Sequence, residues 1–279
     1  AGVYPVTVKA FGAGGSTTSN FTLTVSDPVC SQGLFVSGTD LPVAPQPYSV
    51  TIGDFNNDGH QDIATVSNST AVVSIKLGDG IGGFLNAADV GVSGNAYSLA
   101  LGDFNADGNQ DLACGTLSGT VSIRLGNGLG GFSGTTNLSG VGPVFRIVIG
   151  EFNGDGKQDF AVTNQSLGTV SIRLGDGLGG FSGTTSVVVG TSPRPIAVGD
   201  FNADGNQDLV VGNSGSGTVS VLTGDGLGGF VVTGTVSVGN SPSGLAISDF
   251  NSDGKQDLSP QIASPMMSPF AVGTGLVGF

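Results

Sequence analysis

The chain has 279 residues, of which 51 are glycine and none is tryptophan, and its formal net charge is −13. Only 10% of its residues are charged, which excludes a disordered polyelectrolyte. No apolar run approaches the roughly 18–20 residues of a membrane helix. The acidic balance and the eight scattered Lys and Arg residues argue against nucleic acid as a partner.

The N-terminal segment predicts a β-hairpin, because VYPVTVKAFG and SNFTLTVSD alternate in polarity around a Gly-rich turn. It resembles the last hairpin of an immunoglobulin-like module of the kind found on bacterial surface proteins, and we assign residues 1–28 to such a hairpin or module remnant. A lone hairpin is marginally stable in water. These strands therefore pack on the next domain, complete a missing partner or belong to a truncated module. The first residues lack the features of a signal peptide, so either one has been removed or upstream sequence is missing.

From residue 29 onward the chain is repetitive. A ten-residue acidic segment, typified by GDFNADGNQD, occurs five times at intervals of 49, 48, 49 and 49 residues. Each unit predicts a strand leading into the acidic loop, a strand leaving it, a third strand such as TVSIRLG, a GDGLGGF turn and a single fourth strand. Four antiparallel strands per unit predict an all-β fold, a β-propeller with four-stranded blades. Cys114 takes the place of Thr65, Val162 and Val211 in sister repeats and is interpreted as a small strand residue.

The predicted propeller occupies residues 29–279, with blades near 44–92, 93–140, 141–189, 190–238 and 239–279. Residues 33–43 match a fourth strand and are predicted to complete the last blade, which closes the ring. The fifth unit departs from the pattern after Leu258, where three prolines replace a third strand. The pair Met266–Met267 suggests the hypothesis that a frameshift in the gene record produced this tail.

The acidic loops predict cation sites. Numbered from the first acid, side-chain oxygens fall at positions 1, 3, 5 and 9, and the backbone carbonyl of position 7 can also turn inward. The five sets, with position 7 in fourth place, are Asp54, Asn56, Asp58, His60 and Asp62; Asp103, Asn105, Asp107, Asn109 and Asp111; Glu151, Asn153, Asp155, Lys157 and Asp159; Asp200, Asn202, Asp204, Asn206 and Asp208; and Asp249, Asn251, Asp253, Lys255 and Asp257. A calcium-sized cation takes six to eight such oxygens. One Ca²⁺ in each loop moves the formal charge from −13 to −3.

The acidic loops admit three other interpretations. A solvated acidic turn is the plain alternative, and five recurrences of one ligand pattern count against it. The helix–loop–helix calcium hand is excluded because position 12 is Thr65 in the first loop rather than Glu. Tandem nine-residue calcium rolls are excluded by the spacing.

The pattern D-x-[DN]-x-D-G-x-x-D, with a Phe-Asn pair inside the loop and a strand after it, resembles the FG-GAP repeat. That family includes the VCBS repeats of bacterial extracellular proteins and the propeller of integrin α-subunits. The resemblance covers residues 33–279 and implies calcium at each loop. Glu151, one methylene longer than Asp, leaves the geometry of the third site open. Family propellers usually have seven blades, so missing sequence remains an alternative to closure with five.

The sequence favours a secreted or cell-surface module that binds calcium and acts in adhesion or ligand binding without catalysis. His60 is the only histidine and no base is placed for any Ser or Cys, so we expect no enzyme. The partner would be an extracellular protein or a glycan. One alternative is a subunit of a surface filament or layer that self-associates through its N-terminal strands. Another is a carbohydrate-binding part of a secreted enzyme, which the absence of Trp weakens.

Overall fold

The structure, a computed structural model, describes residues 2–12, 15–25, 40–183, 185–250, 252 and 255–262, the first two segments by their backbone alone. Its described residues form strands and turns and include no helix, so none that could cross a membrane. The chain divides into two compact units, Ala1–Pro42 and Val43–Phe279.

In the first unit, β1 (Gly2–Gly12) pairs antiparallel with β2 (Gly15–Val25) along its whole length. The alternation in the sequence thus predicted both strands. The likeness to an immunoglobulin-like module stays a prediction.

In the second unit, each of the first four repeats forms one antiparallel sheet, in which the first strand pairs with the second and the second with the third. The first sheet contains β3 (Pro47–Gly53), β4 (Asp62–Ser67), β5 (Val72–Gly78), β6 (Phe84–Asn86) and β7 (Val90–Gly91). The second contains β8 (Ala96–Gly102), β9 (Asp111–Thr116), β10 (Thr120–Gly126), β11 (Phe132–Ser133) and β12 (Asn137–Ser139). The third contains β13 (Val144–Gly150), β14 (Asp159–Asn164), β15 (Thr169–Gly175), β16 (Phe181–Ser182) and β17 (Ser186–Val188). The fourth contains β18 (Pro193–Gly199), β19 (Asp208–Asn213), β20 (Thr218–Gly224) and β21 (Phe230–Ser237), and the fifth repeat contributes β22 (Pro242–Ser248) and β23 (Asp257–Ile262).

The fourth strand differs from the prediction of one strand per repeat. In the first three repeats it is two short strands that both pair with the third strand. In the second and third repeats, Gly134 and Gly183 interrupt it with left-handed φ values of 88° and 82°. In the fourth repeat Val231 and Val232 replace the Ser-Gly pair, and β21 runs without a break. Glycine adopts a left-handed φ without steric cost, so the extended conformation of the strand ends at these residues.

The hydrophobic core lies between successive sheets. Second and third strands are buried on both faces. The second strands are largely apolar, whereas the third strands alternate apolar residues with buried polar ones such as Ser122 and Arg124. Ile123 of β10, for example, belongs to the same cluster as Ile147 and Val162 of the following sheet. Cys114 is fully buried in β9, as its strand position predicted, and burial raises the pKa of its thiol to about 12.

The first strands of successive sheets contact one another: β3 contacts β8, β8 contacts β13, β13 contacts β18, and β18 contacts β22. A repeated Phe pair also joins neighbouring sheets. The ring of Phe104, at position 2 of the second loop, packs edge-on against Phe181 of β16 at 5.5 Å between centroids. Pairs at 5.6 Å and 5.3 Å recur in the adjacent repeats. Such packing of four-stranded sheets is that of propeller blades.

Several predictions fall outside the described residues. Residues 33–39 of the predicted closing strand are among them, and Asp40–Val43 do not form a strand. Residues 263–279, which carry the frameshift hypothesis and the predicted outer strands of the fifth blade, also lie outside. Ring closure therefore remains a prediction. The prediction that three prolines replace the third strand is wrong for Pro260, which lies within the second strand, β23, opposite Leu245 of β22.

Candidate metal-binding loops

The acidic loops occupy the same place in every sheet. Each begins directly after the first strand and ends at the first residue of the second strand, where Gly53, for example, pairs with Asp62. The same pairing recurs at Gly102 and Asp111. All described loops therefore lie at one end of the sheets.

The aspartate at position 9 is buried inside its loop. Asp62, Asp111, Asp159, Asp208 and Asp257 are at most 1% exposed. In the second loop, Oδ2 of Asp111 accepts a hydrogen bond from the Phe104 amide at 2.8 Å, and Oδ1 accepts one from the Gly126 amide at 2.7 Å. The first, third and fourth loops repeat both bonds. Position 9 thus fastens the loop to the end of the third strand, a role the sequence did not reveal.

Burial of this carboxylate disfavours its charge. Desolvation raises the pKa of Asp111 to about 6, against the stabilising effect of the two amide donors. The negative charges of Asp107 and Asp103 push the pKa in the same upward direction. The pKa values of Asp159 and Asp208 are raised for the same reasons. Acidic groups in one loop therefore repel one another.

Positions 1 and 3 direct side-chain oxygens toward the backbone amide of position 5. The Asp107 amide lies 3.1 Å from Oδ1 of Asp103 and 3.3 Å from Oδ1 of Asn105. The Asn105 side chain also donates to Oδ2 of Asp107 at 2.9 Å. Gly108, at the sharp reversal, donates to Asp103. The same set of bonds recurs in the first and fourth loops.

Position 7 contributes its amide, and in two loops its side chain, to position 5. The amides of His60, Asn109, Lys157 and Asn206 each donate to the position 5 carboxylate. These bonds are the main cause of the lowered pKa of Asp58, Asp107, Asp155 and Asp204. The His60 ring, which is 45% exposed, lies 3.3 Å from Asp58, and the Lys157 ammonium lies 3.6 Å from Asp155.

The third and fifth loops differ from the others. In the third loop a single oxygen of Glu151 accepts from both the Asn153 amide at 3.2 Å and the Asp155 amide at 3.1 Å. The longer side chain thus changes how position 1 contacts the loop. In the fifth loop, the Phe250 amide donates to Asp257 at 2.9 Å, while Asn251 and Asp253 lie outside the described residues.

The oxygen atoms that these loops offer are the kind of ligand that a hard cation such as calcium binds. Among the described residues, no three Asp, Glu, His or Cys side chains gather closely enough to hold a metal ion by themselves. A cation here would also need the Asn oxygen of position 3 and backbone carbonyls, which are ligands that calcium accepts. In the first four loops each position 9 oxygen accepts one hydrogen bond and keeps a second lone pair, so its ligation stays a prediction.

A glutamine at position 8 links the third, fourth and fifth loops to the loop before each, whereas Oε1 of Gln110 in the second loop is buried without a hydrogen-bond partner among the described residues. Oε1 of Gln158 accepts from the Asp103 amide at 2.8 Å, Gln207 accepts from Glu151 at 2.8 Å, and Gln256 accepts from Asp200 at 3.0 Å. A Cβ atom added at Gly102 would overlap the Gln158 oxygen, which explains the glycine before the first acid. The sequence carried a signal for this link, since all five loops have Gln at position 8.

Four-stranded antiparallel sheets, each with an acidic loop between its first two strands, define a repeat protein of the β-propeller type. A family model of the FG-GAP-like repeat matches residues 54–114, 103–162, 151–211 and 200–258, and the chain belongs to this family. The resemblance inferred from the loops is confirmed.

Solved structures share the fold at low identity. A functionally unknown protein from Desulfotomaculum acetoxidans DSM 771 is 16% identical with a TM-score of 0.57, over 83% of this chain and 71% of that one. A protein from Lactobacillus plantarum is 16% identical with a TM-score of 0.57, over 81% and 72%. BBS1N, crystallised in complex with ARL6DN, is 14% identical with a TM-score of 0.55, over 78% of this chain and 60% of its own, which is less than two thirds of its length. No curated protein matches.

Proposed function

We propose that this protein is a calcium-binding module that acts outside the cell by binding a ligand without catalysis. The observation that carries the calcium proposal is the convergence of oxygens from positions 1 and 3 on one amide, beside the carboxylate of position 5. It recurs in the first four loops. Calcium would take these oxygens, with the carbonyl of position 7 and the carboxylate of position 9, as its ligands.

Electrostatics supports the same proposal. Two like charges about 4 Å apart cost roughly 4 kcal/mol at an effective dielectric constant of 20. The upward effect of Asp103 and Asp107 on the pKa of Asp111 is a sign of this repulsion. A divalent cation among the three carboxylates would turn repulsion into attraction, and it would do so in each loop of a chain whose net charge is −13.

A binding role rests on the fold and on one neighbour. BBS1N shares the fold and was crystallised with ARL6DN, so this architecture can present a surface to another protein. The absence of catalysis is part of the proposal, because the only histidine of the chain, His60, contacts a loop carboxylate rather than a nucleophile. The ligand would be an extracellular protein or a glycan.

Thermal unfolding of the whole chain with calcium and with excess EGTA tests the calcium proposal. At free calcium a hundred times Kd, each filled loop adds about 2.7 kcal/mol of stability. That corresponds to roughly 5–10 °C in Tm for a domain of this size. The variant Asp107→Asn should lose part of the calcium-dependent gain. The control Asp89→Asn removes the same charge from an exposed residue outside the loops and should keep all of it. Identical melting curves in calcium and EGTA, with no metal by elemental analysis, would falsify the calcium proposal.

One observation favours the filament alternative. In the described part of the chain, β1 and β2 pair only with each other, so both outer edges of an eleven-residue ribbon have no strand beside them. Such edges can accept or donate a strand between chains. Size-exclusion chromatography and electron microscopy, with and without residues 1–28, would separate the two functions. Loss of large assemblies on truncation supports the filament, and a monomer in both forms contradicts it.

A further inference from the structure

Every repeat has a β-bulge at the start of its first strand. The pairing register shifts between Pro47 and Ser49, and likewise at the equivalent point of β8, β13, β18 and β22. The skipped positions are Tyr48, Tyr97, Phe145, Arg194 with Pro195, and Ser243. Bulges redirect side chains and are over-represented beside functional sites. The acidic loops follow the other end of the same strands, so this is a separate surface.

The bulges bring three aromatic rings into a row. Tyr48 and Tyr97 are 4.4 Å apart between ring centroids, and Tyr97 and Phe145 are 6.5 Å apart. Tyr48 is 41% exposed, and the other two rings are half-buried. The tyrosine hydroxyls have no hydrogen-bond partner within the described residues. We call Tyr48, Tyr97 and Phe145 the aromatic row.

Two guanidinium groups close one end of the aromatic row. Arg194 lies 5.2 Å and Arg146 lies 5.8 Å from the centroid of Phe145. Among the described residues, no carboxylate is within ion-pair distance of either arginine. Nε of Arg194 is buried and has no hydrogen-bond partner in that part of the chain. The Thr163 hydroxyl fixes both backbones, since it accepts from the Arg146 amide at 3.2 Å and donates to the Arg194 carbonyl at 3.0 Å.

A cavity of about 360 Å³ lies at the same end of the sheets. It is lined by Leu117, Pro143, Gln165, Ser166 and Ser192. Pro143 lies two residues before Phe145 of the aromatic row, and Ser192 lies two residues before Arg194. Gln165, Ser166 and Ser192 offer hydrogen-bonding groups to a hydroxylated ligand, and Leu117 and Pro143 add apolar surface.

We propose that the aromatic row, with Arg146 and Arg194, binds an acidic carbohydrate. Aromatic rings offer flat apolar faces for the C–H surface of a sugar, and the arginines offer charge-assisted hydrogen bonds to its carboxylate or sulfate. A long polyanion such as nucleic acid fits less well, because the protein carries a net charge of −13 and this site supplies two cations. The inference specifies the ligand of the binding role proposed above, and it does not depend on calcium.

Titration calorimetry on the full chain tests this site with tetragalacturonate, a neutral galactose tetrasaccharide, a sulfated galactose tetrasaccharide and a single-stranded DNA oligonucleotide as probes. Wild type should bind an acidic sugar and bind it more weakly in high salt. The variants Arg194→Gln and Phe145→Ser, the latter introducing the residue that the fifth repeat has at this position, should each lose about tenfold or more in affinity. Leu178→Ala is the control, because Leu178 is 80% exposed in a turn between third and fourth strands. Tyr48→Ser provides a third test at an exposed residue if the other variants unfold.

The outcomes separate this inference from the calcium proposal. The site is supported if wild type binds an acidic sugar and if the Arg194 and Phe145 variants lose this binding while their Tm is unchanged. This conclusion holds whether or not EGTA affects the protein. Equal affinity for the neutral sugar, tighter binding of DNA, no binding of any acidic sugar, or binding that the variants leave intact would each overturn it. A calcium-dependent Tm alongside any of these results would leave the calcium proposal standing.

Discussion

Replacing Ala106 with glycine should stabilise the protein, whereas replacing Gly154 with alanine should destabilise it. Both residues occupy position 4 of an acidic loop, where the backbone is left-handed in all five repeats. The φ values are 57° at Asn57, 57° at Ala106, 74° at Gly154, 59° at Ala203 and 61° at Ser252. The loop therefore imposes one backbone conformation on four different residue types.

The magnitude follows from two opposing terms. A residue with a Cβ atom costs about 1–2 kcal/mol in the left-handed region. Glycine loses about 0.5–1 kcal/mol more backbone entropy on folding than alanine does. The net expectation is a gain of about 0.5–1 kcal/mol for Ala106→Gly and a similar loss for Gly154→Ala. A Cβ on Gly154 would meet only the Gly226 carbonyl, at an ordinary 3.6 Å, so conformation rather than a clash sets the sign.

Guanidinium unfolding in EGTA measures both effects without a contribution from metal binding. Because a single change is close to the error of extrapolation, the double variant Ala106→Gly/Ala203→Gly should be measured as well, with an expected gain of about 1–2 kcal/mol if the loops are independent. The control is Ala246→Gly, an exposed strand residue that is not left-handed, which should destabilise by about 0.5–1 kcal/mol. If Ala106→Gly and Ala246→Gly lower the stability alike, the reasoning about position 4 is refuted.

Three further predictions concern groups buried between or beside the loops. Because the folded pKa of Asp111 is raised from 3.8 to about 6, its contribution to calcium-free stability should fall by up to about 3 kcal/mol as the pH rises from about 4 to 7. Asp111→Asn should remove this share of the pH dependence while Asp159 and Asp208 keep theirs, and an unchanged slope of stability against pH would contradict the prediction. Gln158→Met removes the acceptor of the Asp103 amide and should cost about 1 kcal/mol in the same assay, so an unaltered midpoint would show that the link adds no stability. Phe104→Leu breaks the edge-on pair with Phe181 and should cost about 1–2 kcal/mol, whereas a variant as stable as wild type would show that the ring pair is dispensable.

The sequence predicted local features of the fold but not the contacts between repeats. Turn residues and alternation depend on neighbours in the chain, so the strands flanking each loop were predicted correctly. The inward orientation of Asp111 was missed because one residue type serves equally as a metal ligand and as an acceptor for buried amides. The contact between Tyr48 and Tyr97 was missed because a bulge in each of two strands, 49 residues apart, creates it. The break of the fourth strand at Gly134 was missed because one continuous fourth strand was predicted for every repeat.

The glutamine of position 8 has a consequence for how such a protein can change in length. Gln158 reaches the amide of Asp103 in the preceding repeat, and its own repeat offers the amide of Glu151 to Gln207 of the next. The third and fourth units thus each offer a glutamine oxygen to the unit before and a backbone amide to the unit after. A gene that duplicates or deletes a whole unit of this kind restores these links without a compensating mutation, which gives evolution a modular way to alter the array.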